Sequence, residues 1–155
     1  MTALQPLHTL LEQIGIERDT ALATHQRLLL AQRGAQQQAE QLTAYRREYA
    51  QRFGGQFQRS GAVELMQCYQ GFMARLDEAV VQQQHIATQA ESRTDAARAE
   101  LVQAEQRVAA VTKLIERRSA EATLMQSRRE QKETDELAAR GAWLRNATAA
   151  AFGAC

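Results

Sequence analysis

A seven-residue repeat of apolar positions runs through the first fifty residues of the chain. Its companion row, four residues further on, begins at Leu11 and ends at Phe53 but is polar in its middle. Heptad spacing places one stripe along a helix that packs against a partner helix. The repeat therefore predicts a long helix over residues 3–53. The continuous row consists of Leu7, Ile14, Ala21, Leu28, Ala35, Leu42 and Tyr49.

The second half of the chain shows a longer repeat with two rows. Among these positions only Gln83, Thr94 and Arg118 are polar. A period of 3.5 held this long indicates a left-handed supercoil, and it predicts a second helix over residues 61–142. One row is Met66, Met73, Val80, Ala87, Thr94, Leu101, Val108, Ile115 and Ala122, and the other is Tyr69, Leu76, Gln83, Ala90, Ala97, Ala104, Val111, Arg118 and Met125.

A glycine-rich stretch separates the two repeats. Gly54 and Gly55 supply the permissive backbone that commonly ends a helix, and Ser60 is a good N-cap residue for the next one. These residues predict a loop at 54–60. A short loop between long helices makes them antiparallel neighbours.

Folding the chain at residues 57 and 58 predicts which positions face each other. Tyr49 then meets Met66, and Leu7 meets Val108. The first helix runs out near residue 111, so residues 112–142 are predicted to lack a partner within the chain. Residues 143–155 show no useful periodicity and are predicted to be disordered. The predicted fold is all-α: one domain over 1–155, a long antiparallel two-helix coiled-coil hairpin with an unpaired C-terminal helical extension.

Composition and charge narrow the function classes. The chain has 155 residues with 29 alanines and a net charge of +1, its basic and acidic residues being interspersed. Alanine fills a narrow seam rather than a large core, and mixed charge argues against nucleic-acid binding. No apolar run is long enough to span a membrane and no signal peptide is evident. We therefore expect a cytosolic protein, with Cys68 and Cys155 as reduced thiols.

No catalytic constellation is present in the sequence. There is no glycine-rich phosphate loop, and no serine or cysteine nucleophile motif. His8, His25 and His85 are scattered, whereas a metal site needs convergent ligands. We expect no enzyme activity, no catalytic residue, no metal and no cofactor.

Six of the eight aromatic residues lie between residues 45 and 72, around the glycines. A third row, Leu65, Phe72, Ala79 and Ile86, widens the apolar face of the second helix there. Phe72 is expected to lie across the hairpin from Tyr45. Such aromatics are good anchors for a partner protein. Alternatively, they close the end of the hairpin as core residues.

Arginine pairs mark the predicted extension. Arg117 and Arg118 form one pair, and Arg128 and Arg129 form the other. Charged helices are usually solvated. Alternatively, these guanidinium groups pair with carboxylates in a partner's channel.

Three stretches carry a resemblance to a known family. They are AYRREY (44–49), YQGFMARLDEAV (69–80) and IERRSAEATLMQSRREQKETDELAAR (115–140). With the helical composition, they make residues 7–140 resemble the FliJ family of flagellar type III export proteins. The resemblance implies a cytoplasmic two-helix stalk, peripheral at the inner membrane, that promotes assembly and activity of the export ATPase FliI hexamer. It also implies contact with the linker of the export gate protein FlhA and recycling of export chaperones.

The same resemblance implies two sets of binding residues. Gln83 stands where the family commonly has a histidine. The expected export-gate residues are Gln38, Leu42, Tyr45, Tyr49, Phe72, Leu76, Ala79 and Gln83. The expected ATPase-binding residues are Leu7, Ile14, Arg18, Arg117, Arg118, Met125 and Arg129.

Two other functions fit the same pattern. One is a self-associating coiled-coil scaffold in which the extensions pair with each other. The other is the equivalent stalk of a virulence type III secretion system.

Overall fold

Two long helices make up the part of the chain that the structure describes. The computed structural model describes residues 3–60 and 63–153, and the side chains of all of these except 57–60. Helix α1 spans Gln5–Ser60 and helix α2 spans Val63–Gly153. They pack against each other as a hairpin, and the described residues contain no strand. The all-α hairpin prediction is confirmed.

Helix α1 does not end at the glycines. Gly54 and Gly55 lie within it, and it continues to Ser60. The predicted loop at 54–60 is therefore wrong. Each glycine in a helix costs about 1 kcal/mol relative to alanine. The continued helix carries Phe53 onto Tyr69, with ring centroids 4.9 Å apart, and such pairs contribute about 0.5–1.5 kcal/mol beyond area burial. This contact offsets part of the glycine cost.

The register of the hairpin differs from the predicted one. The hydroxyl of Thr94 donates to the carbonyl of Leu28 at 3.2 Å, and Phe53 contacts Tyr69. The residue numbers in each of these pairs (28 and 94, 53 and 69) add up to 122, whereas the predicted pairs add up to 115. The difference is one heptad, so the predicted partners of Tyr49, Leu42, Ala35 and Leu7 are each shifted by seven residues.

The seam itself follows the predicted rows. Every position of the continuous row of α1 is buried or half-buried. The same holds for both rows of α2 from Met73 to Ile115. Small residues dominate this core, which lets the helix backbones approach closely. The buried positions among the described residues are Ile14, Ala35, Val80, Thr94, Ala97, Leu101 and Ala104.

Polar side chains in the seam bond to the backbone of α1. Thr94 is only 1% exposed, and its hydroxyl lies within reach of the carbonyls of Leu28 and of Ala90 in its own helix. Gln83 donates from Nε2 to the carbonyl of Ala35 at 3.3 Å. Buried polar groups that are satisfied in this way specify register.

The chain divides into two compact units. The central unit is Ile14–Arg107, and the terminal unit is Met1–Gln13 with Val108–Cys155. In the terminal unit, Leu4 lines a groove with Ala122 and Gln126, so the start of α1 lies beside α2 well beyond residue 111. From residue 116 to residue 140 every side chain of α2 is exposed.

The C-terminal segment is helical rather than disordered. Helix α2 continues through residues 143–153, which corrects the predicted disordered tail over that range. Residues 154 and 155, also part of the predicted tail, lie outside the described residues. Alanine-rich sequence of this kind has high intrinsic helix propensity. The prediction of disorder relied on the absence of a heptad pattern and did not take this propensity into account.

Candidate partner-binding surfaces

An aromatic cluster joins the two helices in the central unit. Tyr49 is its centre: its ring lies 5.0 Å from Tyr45, 5.9 Å from Phe53 and 5.2 Å from Phe72, between centroids. Spacing of four residues puts Tyr45, Tyr49 and Phe53 on one side of α1. The heptad shift brings Phe72 rather than Met66 to Tyr49. We call Gln38, Leu42, Tyr45, Tyr49, Phe72, Leu76, Ala79 and Gln83 the aromatic surface.

The two tyrosines differ in burial. Tyr49 is half-buried, whereas Tyr45 is 52% exposed and Phe72 is 42% exposed. The hydrogen bond to Tyr45 raises the pKa of Tyr49 above that of an ordinary tyrosine, and burial acts in the same direction. Tyr49 is therefore part of the hairpin's packing. Tyr45 and Phe72 offer exposed aromatic area at its edge, which suits them to a partner contact.

A shallow pocket lies next to Tyr45. It has a volume of about 330 Å³ and is lined by Gln38, Gln41, Leu42, Tyr45 and Gln83. The amide of Gln83 donates to Gln38 Oε1 at 3.1 Å as well as to the backbone of α1. The pocket is thus lined by one aromatic ring and by amides, of which that of Gln83 is hydrogen-bonded to α1. Gln41 was absent from the expected set, which the family resemblance supplied.

An ion pair borders the aromatic surface. Arg46, on the companion row of α1, bonds through Nε to Asp77 Oδ1 of α2. The carboxylate of Asp77 raises the pKa of the Arg46 guanidinium. The predicted register put Arg46 opposite Tyr69, so this pair could not be found from the sequence. Leu76, beside Asp77, and Ala79 are half-buried at the edge of the seam.

The expected ATPase-binding residues fall in both units. In the central unit, Ile14 is buried in the seam, and Arg18 bonds to its neighbour Asp19 at 2.9 Å. In the terminal unit, Leu7 is half-buried. The other four expected residues of that unit are exposed along α2: Arg117, Arg118, Met125 and Arg129. Only these four and the half-exposed Arg18 offer side chains to a partner without rearrangement.

The exposed part of α2 carries a shallow apolar groove. Ile115, Ala120 and Leu124 line it together with Ser119 and Thr123. Leu124 is 52% exposed and Met125 is 57% exposed. An exposed amphipathic helix with arginines beside apolar side chains can enter a partner that offers both carboxylates and an apolar wall.

The described residues show no sign of a metal centre or a membrane span. No group of three or more His, Cys, Asp or Glu side chains within 3–60 and 63–153 lies close enough to hold a metal ion. Over the same residues, neither helix contains an apolar stretch that could cross a bilayer. His25 Nε2 is buried in the seam without a hydrogen-bond partner in the described part of the chain.

Comparison with known proteins identifies the family. The family model described as "Flagellar FliJ protein" matches residues 2–147. No curated protein and no solved structure matches the chain. The match extends over both helices, including the aromatic surface and the exposed part of α2. The chain therefore belongs to the FliJ family and is a component of flagellar type III protein export.

Proposed function

We propose that the chain is a cytoplasmic stalk, peripheral at the inner membrane, that binds the export ATPase ring and promotes its assembly and activity. Its role is binding, without chemistry of its own. The observation that carries the proposal is the uninterrupted exposure of α2 from residue 116 to residue 140 in a chain of this family. A helix whose side chains are exposed over this length is available to a ring of subunits.

The ATPase contact is proposed to use the arginines of this exposed segment. Arg117, Arg118 and Arg129 are exposed and lie on the part of α2 that also carries Leu124 and Met125. Guanidinium groups make bidentate pairs with carboxylates. By binding the assembled ring more tightly than free subunits, the helix shifts the population toward the active form.

The test is ATP hydrolysis by the cognate export ATPase with increasing amounts of this protein. We expect turnover to rise and then saturate, and Arg117→Glu with Arg118→Glu to abolish the rise. Arg47→Glu is the control, because Arg47 is also exposed but lies on α1 outside the predicted site. Unchanged turnover at saturating wild-type protein would refute this function.

The aromatic surface is proposed to contact the cytoplasmic linker of the export gate. Tyr45 and Phe72 are its exposed anchors, and the pocket beside Tyr45 can accept one side chain of the linker. A hot-spot aromatic contributes about 2 kcal/mol or more, so Tyr45→Ala should weaken linker binding about thirtyfold. Leu30→Ala is the control, since Leu30 is 68% exposed on the same helix but outside the surface. Equal weakening by both variants would contradict the assignment.

Recycling of export chaperones is proposed on family membership alone. It is tested by binding of purified empty and cargo-loaded chaperones. We expect the empty chaperone to bind more tightly, because recycling requires release of the cargo first. Tighter binding of the loaded form would contradict the recycling role.

Self-association is the second candidate function, favoured by one observation. Leu137 and Leu144 lie seven residues apart on α2 and are 67% and 59% exposed. Heptad-spaced leucines pair helices. Sedimentation at micromolar concentration distinguishes the two functions: a monomer supports the stalk, and a stable dimer that Leu137→Ala dissolves supports the scaffold.

A further inference from the structure

We propose that the central unit has a second, less populated register, in which α2 is shifted by one heptad along α1 and the connection between the helices moves to residues 54–60. The shift would replace one complete set of seam contacts by another. Three features of the structure carry this inference: two glycines that the packing does not need, seam layers that tolerate the shift, and a small set of polar and aromatic contacts that select the observed register.

Gly54 and Gly55 serve no packing purpose in the observed register. A Cβ added at either position meets nothing within 4 Å, and neither backbone has a positive φ. Alanine would therefore fit both sites and strengthen the helix. Two adjacent glycines with Ser60 behind them are instead suited to end one helix and begin the next. They fit a conformation in which the turn lies at this point.

Two central layers of the seam remain matched after the shift. In the observed register Ala35 faces Ala87 and Leu28 faces Thr94. A shift by seven residues puts Ala35 opposite Val80 and Leu28 opposite Ala87. In each of these two layers a larger side chain meets a smaller one, whereas the observed layer at Ala35 pairs two alanines. Because heptad phase is preserved, the same rows of the two helices still face each other within the central unit.

Side chains near the connection would gain burial from the shift. Met66 belongs to the core row of α2 but is 44% exposed, because the observed register puts Gln56 opposite it. In the second register Met66 faces Tyr49. Met66 is thus a core-row residue whose side chain would be opposite an apolar residue only in the second register.

A few contacts hold the observed register. The bonds from Thr94 to Leu28 and from Gln83 to Ala35 join side chains to particular carbonyls, and the Phe53–Tyr69 contact joins particular rings. All three contacts are lost when α2 shifts, whereas the packing of the alanine layers changes little. These contacts therefore make the observed register the major one.

The shift would alter the aromatic surface. Seven residues of helix correspond to about 10 Å of sliding, which separates Tyr49 from Phe72 and Arg46 from Asp77. A partner that needs these side chains together binds one register only. Binding would then select the register, and the selection is reciprocal by linkage. This conclusion does not depend on which partner binds there.

Cysteine pairs specific for each register provide the test. In a Cys68→Ser, Cys155→Ser background, Ala35→Cys with Ala87→Cys reports the observed register. Ala35→Cys with Val80→Cys reports the second register, and Ala35→Cys with Thr94→Cys reports a shift in the opposite direction. Disulfide geometry requires Cα atoms within about 7 Å, so each pair closes in only one register. Yields are compared after mild oxidation, with helicity checked for each variant.

We expect the 35/87 pair to close fastest, the 35/80 pair to close more slowly but measurably, and the 35/94 pair to stay open. Adding Gly54→Ala and Gly55→Ala should lower the rate of 35/80 closure about twentyfold, the ratio that corresponds to the helix propensity of two glycines. The 35/87 pair should be unaffected.

The proposal is overturned if 35/80 stays open while 35/87 closes, if 35/94 closes as readily as 35/80, or if the alanine variants leave 35/80 unchanged. Should Val80→Cys unfold the chain, Leu28→Cys with Ala87→Cys reports the same second register without touching Val80.

Discussion

Replacing Tyr49 should destabilise the hairpin far more than replacing Tyr45. Tyr49 makes ring contacts with Tyr45, Phe53 and Phe72 at centroid distances of 5.0, 5.9 and 5.2 Å. At about 0.5–1.5 kcal/mol for each pair, Tyr49→Ala removes roughly 3 kcal/mol, and the better helix propensity of alanine returns about 0.5 kcal/mol. The expected loss is about 2.5 kcal/mol in the free energy of unfolding.

Tyr45→Ala removes far less. Tyr45 is 52% exposed, and its contact with Tyr49 is the single described ring pair that it makes. The same figures give a loss of about 1 kcal/mol, of which alanine returns about half. The difference of about 2 kcal/mol corresponds to about 4–8 °C in Tm for a chain of this size.

Urea and thermal unfolding followed by circular dichroism at 222 nm measure both variants, and Leu30→Ala serves as an exposed control. The variants should also separate in function, because Tyr45→Ala is expected to weaken gate-linker binding while leaving the hairpin folded. Equal destabilisation by Tyr45→Ala and Tyr49→Ala would refute the division of roles between the two tyrosines. An unchanged Tm for Tyr49→Ala would refute the role of the aromatic cluster in packing.

Three further outcomes follow from individual side chains. Gly54→Ala with Gly55→Ala should raise the free energy of unfolding by about 1.5–2 kcal/mol, measured in urea, since both sites have room for a methyl group. Leu101→Ala, in the buried seam, should cost about 2–3 kcal/mol, whereas Leu137→Ala, 67% exposed, should stay within about 0.5 kcal/mol by the same measurement. The raised pKa of Tyr49 means that the folded state favours the neutral phenol. This contribution to stability is complete below the pKa of an unfolded tyrosine, and it is lost as the pH rises through the pKa of Tyr49 in the folded protein. Tm should therefore fall above about pH 10, and Tyr49→Phe should reduce that fall.

Periodicity was enough to predict the two helices and their seam. The rows containing Ile14, Ala35, Val80 and Leu101 were named from spacing alone, and the structure buries them. The register was not predictable in the same way. A heptad pattern looks identical after a shift of seven residues, so the choice depended on the turn. Gly54 and Gly55 indicated a turn at a point where α1 continues to Ser60.

The exposure of the candidate surfaces was predictable for some residues only. Tyr45 and Phe72 were recognised because they lie beside the core rows, and both are exposed at the edge of the seam. Asp77 was missed, because pairing it with Arg46 requires the correct register. The helical state of residues 143–153 was missed because it comes from propensity and not from a repeat.

The narrow alanine seam has a thermodynamic consequence. A hairpin that buries mainly small side chains exposes little additional apolar surface when it unfolds, so its heat-capacity increment and its urea m-value should both be small for 155 residues. Its stability curve is then broad and flat over temperature. Each layer contacts only its neighbours, so amide hydrogens should exchange in a gradient, fastest in the exposed part of α2 and slowest around Thr94 and Leu101. We therefore expect local unfolding to begin in the exposed part of α2 and to reach the layers around Thr94 and Leu101 last.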